Sequence, residues 1–275
     1  MRKKIIIFIL WIVLLLGLCL VYFNIKDAEA GEGDVTIECI NTANDADCFV
    51  IRQDGVCAII DTGEKSDAEK ILAHLKSAGI SRINLLILTH NDSDHIGSSL
   101  DLVNEIPVDK VVETPYGESN DTINELNSYL LENGTKVVYP SHNTKMSIGD
   151  IKFIIYPPIK TGYKKENNSS LAILVNHRSV NCLFTGDAQK KRITELLLVD
   201  WPNLNMLKVP HHGKACSLTD ELFEKTVPEY AVVTSDFADT EIVNIAGKLG
   251  TELVYTRNGN YSFISNGESL ILQEE

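Results

Sequence analysis

The stretch His90-Asn91-Asp92-Ser93-Asp94-His95 sets four imidazole or carboxylate groups within six positions, directly after the apolar run Leu85–Leu88. Imidazole and carboxylate together suit Zn, Mn or Fe rather than a soft thiolate-bound ion. In an extended loop, positions 90, 92 and 94 point one way and His95 another, so one loop could serve two metals. The plain alternative is a solvated turn with Asx caps. Three further segments argue against it. Asp61-Thr62-Gly63 closes the run Ala58–Ile60, Asp187 ends Phe184-Thr185-Gly186-Asp187, and His211-His212-Gly213 follows Leu207-Lys208-Val209-Pro210. Each puts an acid or an imidazole where an apolar run gives way to a loop, and such loops carry function on a rigid platform. Singly they are ordinary turns; jointly they make a candidate metal centre. Lys208 and Lys214 flank the last segment, either as supports for a leaving group or as solvated lysines. His74, His142 and His177 are expected at the surface.

The elements that must position these groups are legible from periodicity. Strand-like runs occur at Val35–Ile40, Cys48–Arg52, Val56–Ile60, Ile83–Leu88, Lys110–Val112, Lys136–Tyr139, Ile151–Tyr156, Leu171–Val175 and Asn181–Phe184. Helical spacing marks Ser66–Ala78, Ser98–Asn104, Thr122–Leu131 and Gln189–Leu198. Strands at 205–209, 230–234 and 252–256 then alternate with helices at 218–226 and 240–248. Sheets covered by helices, an α/β or α+β layered fold, are the expectation.

At the N-terminus, Arg2, Lys3 and Lys4 precede an uncharged apolar run from Ile5 to Phe23. A run of this length nearly spans a bilayer core, and the basic flank would keep its start on the cytoplasmic side. Ala28-Glu29-Ala30 has the small-x-small form of a cleavage site. The reading is a signal peptide or membrane anchor over 1–30 and one domain over 31–275. The domain is placed outside the cytoplasm, held by the N-terminal segment or secreted after cleavage near Ala30. Outside the run lie Cys39, Cys48, Cys57, Cys182 and Cys216, an odd number without a CxxC hook. They read as small buried apolar residues, with one bridge among Cys39, Cys48 and Cys57 as the alternative. The formal net charge is −13. That argues against a protein that coats nucleic acid with a basic surface, and leaves room for an enzyme that meets phosphates through cations.

Taken together, Thr89 to Gly97, Asn167-Asn168-Ser169-Ser170-Leu171, Thr185-Gly186-Asp187 and Leu207 to Gly213 resemble the metallo-β-lactamase fold superfamily of hydrolases. Within it they are most similar to the extracellular hydrolase domain of ComEC-type competence proteins. The resemblance covers nearly all of 34–275 and implies a four-layer αββα sandwich with two divalent metal ions, Zn or Mn, at one edge. It implies His90 and Asp92 on one metal, Asp94 and His95 on the other, Asp187 bridging and His211 as a further ligand, with His212 the competing choice. Asp61 would orient the ligand loop, and Asp94 would also orient the hydroxide. Three departures stand out. Asp92 replaces the second His of the β-lactamase pattern, Asn167-Asn168-Ser169 replaces a Gly-His ligand segment, and Ser235-Asp236-Phe237 replaces a late Asn and Gly-His-Pro. Asn168 and Asp236 are the candidate substitutes. The implied activity is a dinuclear phosphodiesterase or nuclease acting through a metal-bridging hydroxide on a small or polymeric phosphoester, nucleic acid being unsupported by the net charge. The alternatives are an esterase, lactonase or phosphocholine-type esterase on envelope polymers, and a metal-binding domain that has lost activity.

Overall fold

The computed structural model describes residues 33–274. The apolar run 5–23, and with it the anchor or signal reading and the boundary near Ala30, lies outside the described residues. Among the described residues no helix is long and apolar enough to cross a membrane.

The chain runs twice through one plan. In the first half β1 (Val35–Cys39), β2 (Phe49–Gln53) and β3 (Val56–Ile60) are antiparallel neighbours. Then β4 (Leu85–Leu88), β5 (Lys110–Glu113) and β6 (Lys136–Val138) add in parallel. The crossovers are the helices α1 (Ala68–Ser77), α2 (Ser93–Ile96), α3 (Ser99–Glu105) and α4 (Asp121–Glu132). In the second half β7 (Thr144–Ile148), β8 (Ile151–Tyr156), β9 (Ala172–His177) and β10 (Val180–Phe184) are antiparallel. They are followed in parallel by β11 (Met206–Lys208), β12 (Tyr230–Val233) and β13 (Glu252–Tyr255), with crossovers α5 (Lys190–Leu196), α6 (Thr219–Thr226) and α7 (Thr240–Leu249). A final hairpin, β14 (Tyr261–Ser265) and β15 (Leu270–Glu274), returns to the first sheet beside β1. The sheet orders are β15-β14-β1-β2-β3-β4-β5-β6 and β13-β12-β11-β10-β9-β8-β7.

Why the sheets stack is visible in the two-residue period of their strands. Phe49 and Ile51, Ala58 and Ile60, and Leu85 and Ile87 share one apolar cluster with Ile173, Val175, Cys182 and Phe184 of the other sheet. The alternate residues Val50, Ile59, Leu86 and Leu88 meet Ile71 and Leu75 of α1, Leu102 of α3 and Leu126 of α4. Leu174, Leu183, Leu207 and Val233 meet Ile193 of α5, Phe223 of α6 and Ile245 of α7. Strands apolar on both faces require a cover on each. Helices, sheet, sheet, helices is therefore the layer order, in agreement with the expected αββα sandwich.

Three strands were not expected. β7 is an edge strand with alternating exposure and little apolar content. The β14–β15 hairpin turns at Asn266-Gly267, a dipeptide that itself signals such a turn. His177, expected at the surface, is buried with Nδ1 2.9 Å from Ser265 Oγ, because β14 covers it. All five cysteines beyond residue 33 are free, and all but Cys216 are buried.

Phe184 packs edge-on against Phe49 across the sheet interface, ring centroids 4.9 Å apart, and is the last residue before the Thr185-Gly186-Asp187 loop. Phe184→Ala is expected to lower stability by about 3–5 kcal/mol in urea unfolding.

Candidate metal centre

The C-terminal ends of parallel strands from both sheets meet at one edge of the sandwich, the usual place for a site in such sheets. Asp61 follows β3 with φ +57°, a left-handed conformation that turns its carboxylate back under the next loop. Its Oδ1 accepts the Thr89 N–H at 2.7 Å, and its Oδ2 accepts the Thr89 hydroxyl at 2.8 Å. That same Oδ2 lies 2.8 Å from His95 Nδ1. His95 sits on α2, a single helical turn whose His95 and Ile96 N–H groups donate to Asp92 O at 3.0 and 3.1 Å. Residues 93–96 are thus helical, and the extended alternation expected for positions 90 to 94 stops at Asp92. The turn is held by Gly97, where a Cβ would come within 2.4 Å of the Lys65 backbone N.

Asp187 leaves β10 through Gly186, at φ +52° and so near Thr89 that a Cβ would lie 2.9 Å from the threonine Cβ. From the segment where a third histidine is missing, it is Asn167 that reaches the centre, donating Nδ2–H to Asp187 Oδ2 at 3.2 Å. Asn168 turns away, its Oδ1 accepting the Arg192 N–H at 3.0 Å at the start of α5.

After β11, His211 and His212 both adopt left-handed backbone, at φ +51° and +54°. This conformation costs about 1–2 kcal/mol per non-glycine residue. It drives the His212 ring inward, where it is buried, and leaves His211 partly exposed. His212 Nε2 is 3.0 Å from Asp187 Oδ2 and 3.2 Å from Asp94 Oδ2. Its Nδ1 is 2.9 Å from the hydroxyl of Thr234, at the end of β12. His212 rather than His211 therefore joins the cluster. Asp236 is exposed, and Thr234 is the residue of its segment that reaches inward.

Three proton chains fix how the imidazoles face. Thr89 gives its one hydroxyl proton to Asp61, so its oxygen accepts from His90 Nδ1 at 3.1 Å. His95 Nδ1 donates to the same carboxylate, which has no proton to give. Thr234 donates to Asp47 Oδ1 at 2.6 Å and so accepts from His212 Nδ1. With each ring neutral, as cation binding requires, all three Nε2 atoms would be left as lone pairs. Each is buried and without a hydrogen-bond partner. They face the Asp92, Asp94 and Asp187 carboxylates: His90 Nε2 is 3.4 Å from Asp92 Oδ2, and His95 Nε2 is 3.2 Å from Asp187 Oδ1. Converging imidazole nitrogens, each oriented from behind, with carboxylates between them, fit a divalent cation.

Asp47 and Lys208 were missed as a pair. Asp47 lies with His95, Asp187 and His212 within 4.8 Å, but its oxygens are already engaged by Thr234 and by the Lys208 ammonium at 2.6 Å. Lys208 is 1 % exposed and also lies 3.0 Å from Gly186 O and 3.4 Å from Asp187 Oδ1, so it is not a solvated lysine. Lys214 is the exposed one, 4.0 Å from Asp45. Burial opposes the charge on Asp187, but His212, His95 and Lys208 outweigh it and hold the carboxyl well below its usual range. Burial likewise works against protonated His212, yet Asp187 and Asp47 push it up to about 10. Without a cation His95 and His212 carry protons as counter-charge; a bound cation would displace them. No motif announced Asp47, which lies in a loop between β1 and β2; the signal was an Asp between Ala46 and Cys48 at a strand entrance.

The profile of the metallo-β-lactamase superfamily matches residues 41–234, and the chain belongs to that superfamily. It is 29 % identical over 170 residues to ComE operon protein 3 of Bacillus subtilis, 61 % of this chain and 22 % of that protein. It is 27 % identical over 195 residues to Recombination protein 2 of Haemophilus influenzae, 68 % of this chain and again 22 % of the relative. The match thus spans under a quarter of either relative, and its resemblance is of the ComEC type. Among solved structures, the metallo-β-lactamase fold protein YhfI of Bacillus subtilis aligns with TM-score 0.59 and 13 % identity, over 84 % of this chain and all of that one. CmlA, a diiron β-hydroxylase from Streptomyces venezuelae, aligns at 0.54 and 15 % identity, over 84 % and 54 %. These two show the fold.

His212→Ala is expected to lower bound metal per chain, measured by elemental analysis, whereas His211→Gly keeps it and gains about 1 kcal/mol in urea unfolding by relieving a left-handed residue. Lys208→Met strands two buried carboxylates and is expected to destabilise the metal-free chain by about 3–5 kcal/mol in the same assay.

Proposed function

We propose that the chain is a metal-dependent phosphodiesterase acting outside the cytoplasmic membrane, with two divalent cations in the centre described above. The observation that carries this reading is the convergence of three buried, partnerless imidazole Nε2 atoms on a cluster of carboxylates. Charge supports two cations. Asp47, Asp61, Asp92, Asp94 and Asp187 against Lys208 leave −5 + 1 = −4 with the imidazoles neutral, which two divalent ions cancel. His90 and Asp92 would hold one ion, and Asp94, His95 and His212 the other, with Asp187 between them. Asp61, Thr89, Thr234 and Asp47 hold the rings in register, and Lys208 fixes Asp187.

When bound, two such cations supply Lewis-acid polarisation and a nucleophile at neutral pH. The chain's own groups do the rest. Asp94, 30 % exposed in its side chain, lies between the buried histidines and solvent, where it would orient the attacking water and take its proton. Asp92 in place of a histidine, and Asn167 in place of another, make the donor set oxygen-rich, which favours Mn over Zn and suits a phosphoryl oxygen better than a lactam. The basic and apolar residues 2–23 support a location outside the membrane.

The test uses the full chain in detergent, with metal content and hydrolysis of bis-p-nitrophenyl phosphate measured in Mn or Zn. Two ions per chain are expected, with turnover falling about a hundredfold or more in Asp94→Ala. Cleavage of p-nitrophenyl acetate but not of the diester would replace the phosphodiesterase by an esterase. Full metal occupancy with neither turnover would leave a binding role.

A further inference from the structure

On a chain of net charge −13, one patch runs against the trend, and it adjoins the metal centre. Lys164 and Lys165 precede the turn Glu166–Ser169, and Lys190 and Lys191 open α5. All four are exposed. The two segments are pinned together: Asn168 N–H donates to Lys165 O at 3.1 Å, and Arg192 N–H donates to Asn168 Oδ1 at 3.0 Å. The same turn enters the centre through Asn167, which donates to Asp187 Oδ2.

None of the four ammonium groups makes an ion pair among the described residues. The neighbouring acids are already committed. Glu166 accepts the Asn91 and Glu118 N–H groups, and Glu195 is paired with Arg192 at 2.8 Å and accepts Ile159 N–H. Four unneutralised lysines on adjoining segments repel one another, and an acidic protein has carboxylates to spare for them. Beside α5 a groove of about 350 Å³ continues the ridge, lined by Ile159, Lys160, Tyr163, Lys191 and Leu198 among others. Ile159 and Leu198 are 66 % and 78 % exposed, so the groove offers apolar surface beneath a cationic rim. A local cluster of cations thus sits on a chain whose overall charge is negative.

We infer that Lys164, Lys165, Lys190 and Lys191 form a binding site for the backbone of a phosphodiester polymer, which threads consecutive phosphates along the ridge while one occupies the metal centre. This rests on the phosphodiesterase reading and deepens it: the substrate is a polyanionic chain rather than a small ester. A single-stranded nucleic acid and a polyol-phosphate polymer of the envelope share that chemistry. An anionic membrane surface is disfavoured because the ridge is continuous with the centre through Asn167.

The test compares the full chain in detergent with the fourfold Lys→Gln variant, and with a fourfold Lys→Ser variant should the first fail to fold. Binding of a fluorescent single-stranded oligonucleotide and of poly(glycerol phosphate) is followed by anisotropy, beside turnover of bis-p-nitrophenyl phosphate, a single diester with no chain to lay along the ridge. Four phosphate contacts predict that native binding weakens roughly fifty-fold between 50 and 200 mM salt. The variant should lose most of that salt dependence and affinity while its turnover of the small diester is unchanged. Preference for one polymer identifies the source of the phosphates. Equal polymer binding by native chain and variant overturns the ridge, and so does a variant whose only loss is binding to vesicles of anionic phospholipid. Absence of small-diester turnover overturns the phosphodiesterase reading instead, and the binding comparison still decides the ridge.

Discussion

The structure depends on the burial of like charge. Asp47, Asp61 and Asp187 are at most 2 % exposed, and Asp92 and Asp94 lie over them. Buried carboxylates are tolerated only when paired and hydrogen-bonded. One ammonium, Lys208, serves Asp47 and Asp187 together, and Asp61 is satisfied by the Thr89 backbone and hydroxyl. What remains is a concentration of negative charge facing three inward imidazole Nε2 atoms, a situation a cation resolves better than any further side chain.

The scaffold is built to hold that arrangement against its own cost. Parallel strands in both sheets end at one edge, so residues far apart in sequence converge: Asp47 and Thr234 touch across 187 positions. The inter-sheet core of Phe49, Ile60, Ile87 and Phe184 keeps the two sets of loops at fixed separation. Part of the backbone strain falls here, with Asp61, His211 and His212 in left-handed backbone. Such strain persists where surrounding structure over-determines it, and it clusters at functional sites. His90, His95 and His212 are then presented ready-oriented, so little reorganisation accompanies cation binding.

Much of this was legible in the sequence, for a physical reason. Strands covered on both faces are continuous apolar runs, and the cluster sits where those runs end, so His90, Asp92, Asp94 and His95 at one junction and Asp187 at another stood out as candidates. What was hidden depends on backbone geometry or on packing. Two adjacent histidines differ only in which of them the left-handed turn drives inward, and periodicity carries no such information. Asn167 and Asn168 are likewise distinguished by a single residue of turn. Asp47 has no motif, and the pairing of Lys208 with it exists only once the two sheets meet. The edge strand β7 lacks an apolar signature, whereas the last hairpin carries a turn signal in Asn266-Gly267 that the reading passed over. Summed charge hid the lysine ridge, since an average over the chain erases a local reversal of sign.

The most direct test of the account is an anomalous diffraction map from crystals of this chain grown with Mn or Zn. The account predicts two peaks between the Nε2 atoms of His90, His95 and His212, on either side of the Asp187 carboxylate, with Asp47 still bound to Lys208. No peak at this cluster, or a peak held by His211 and Asp236 with His212 turned away, would contradict it.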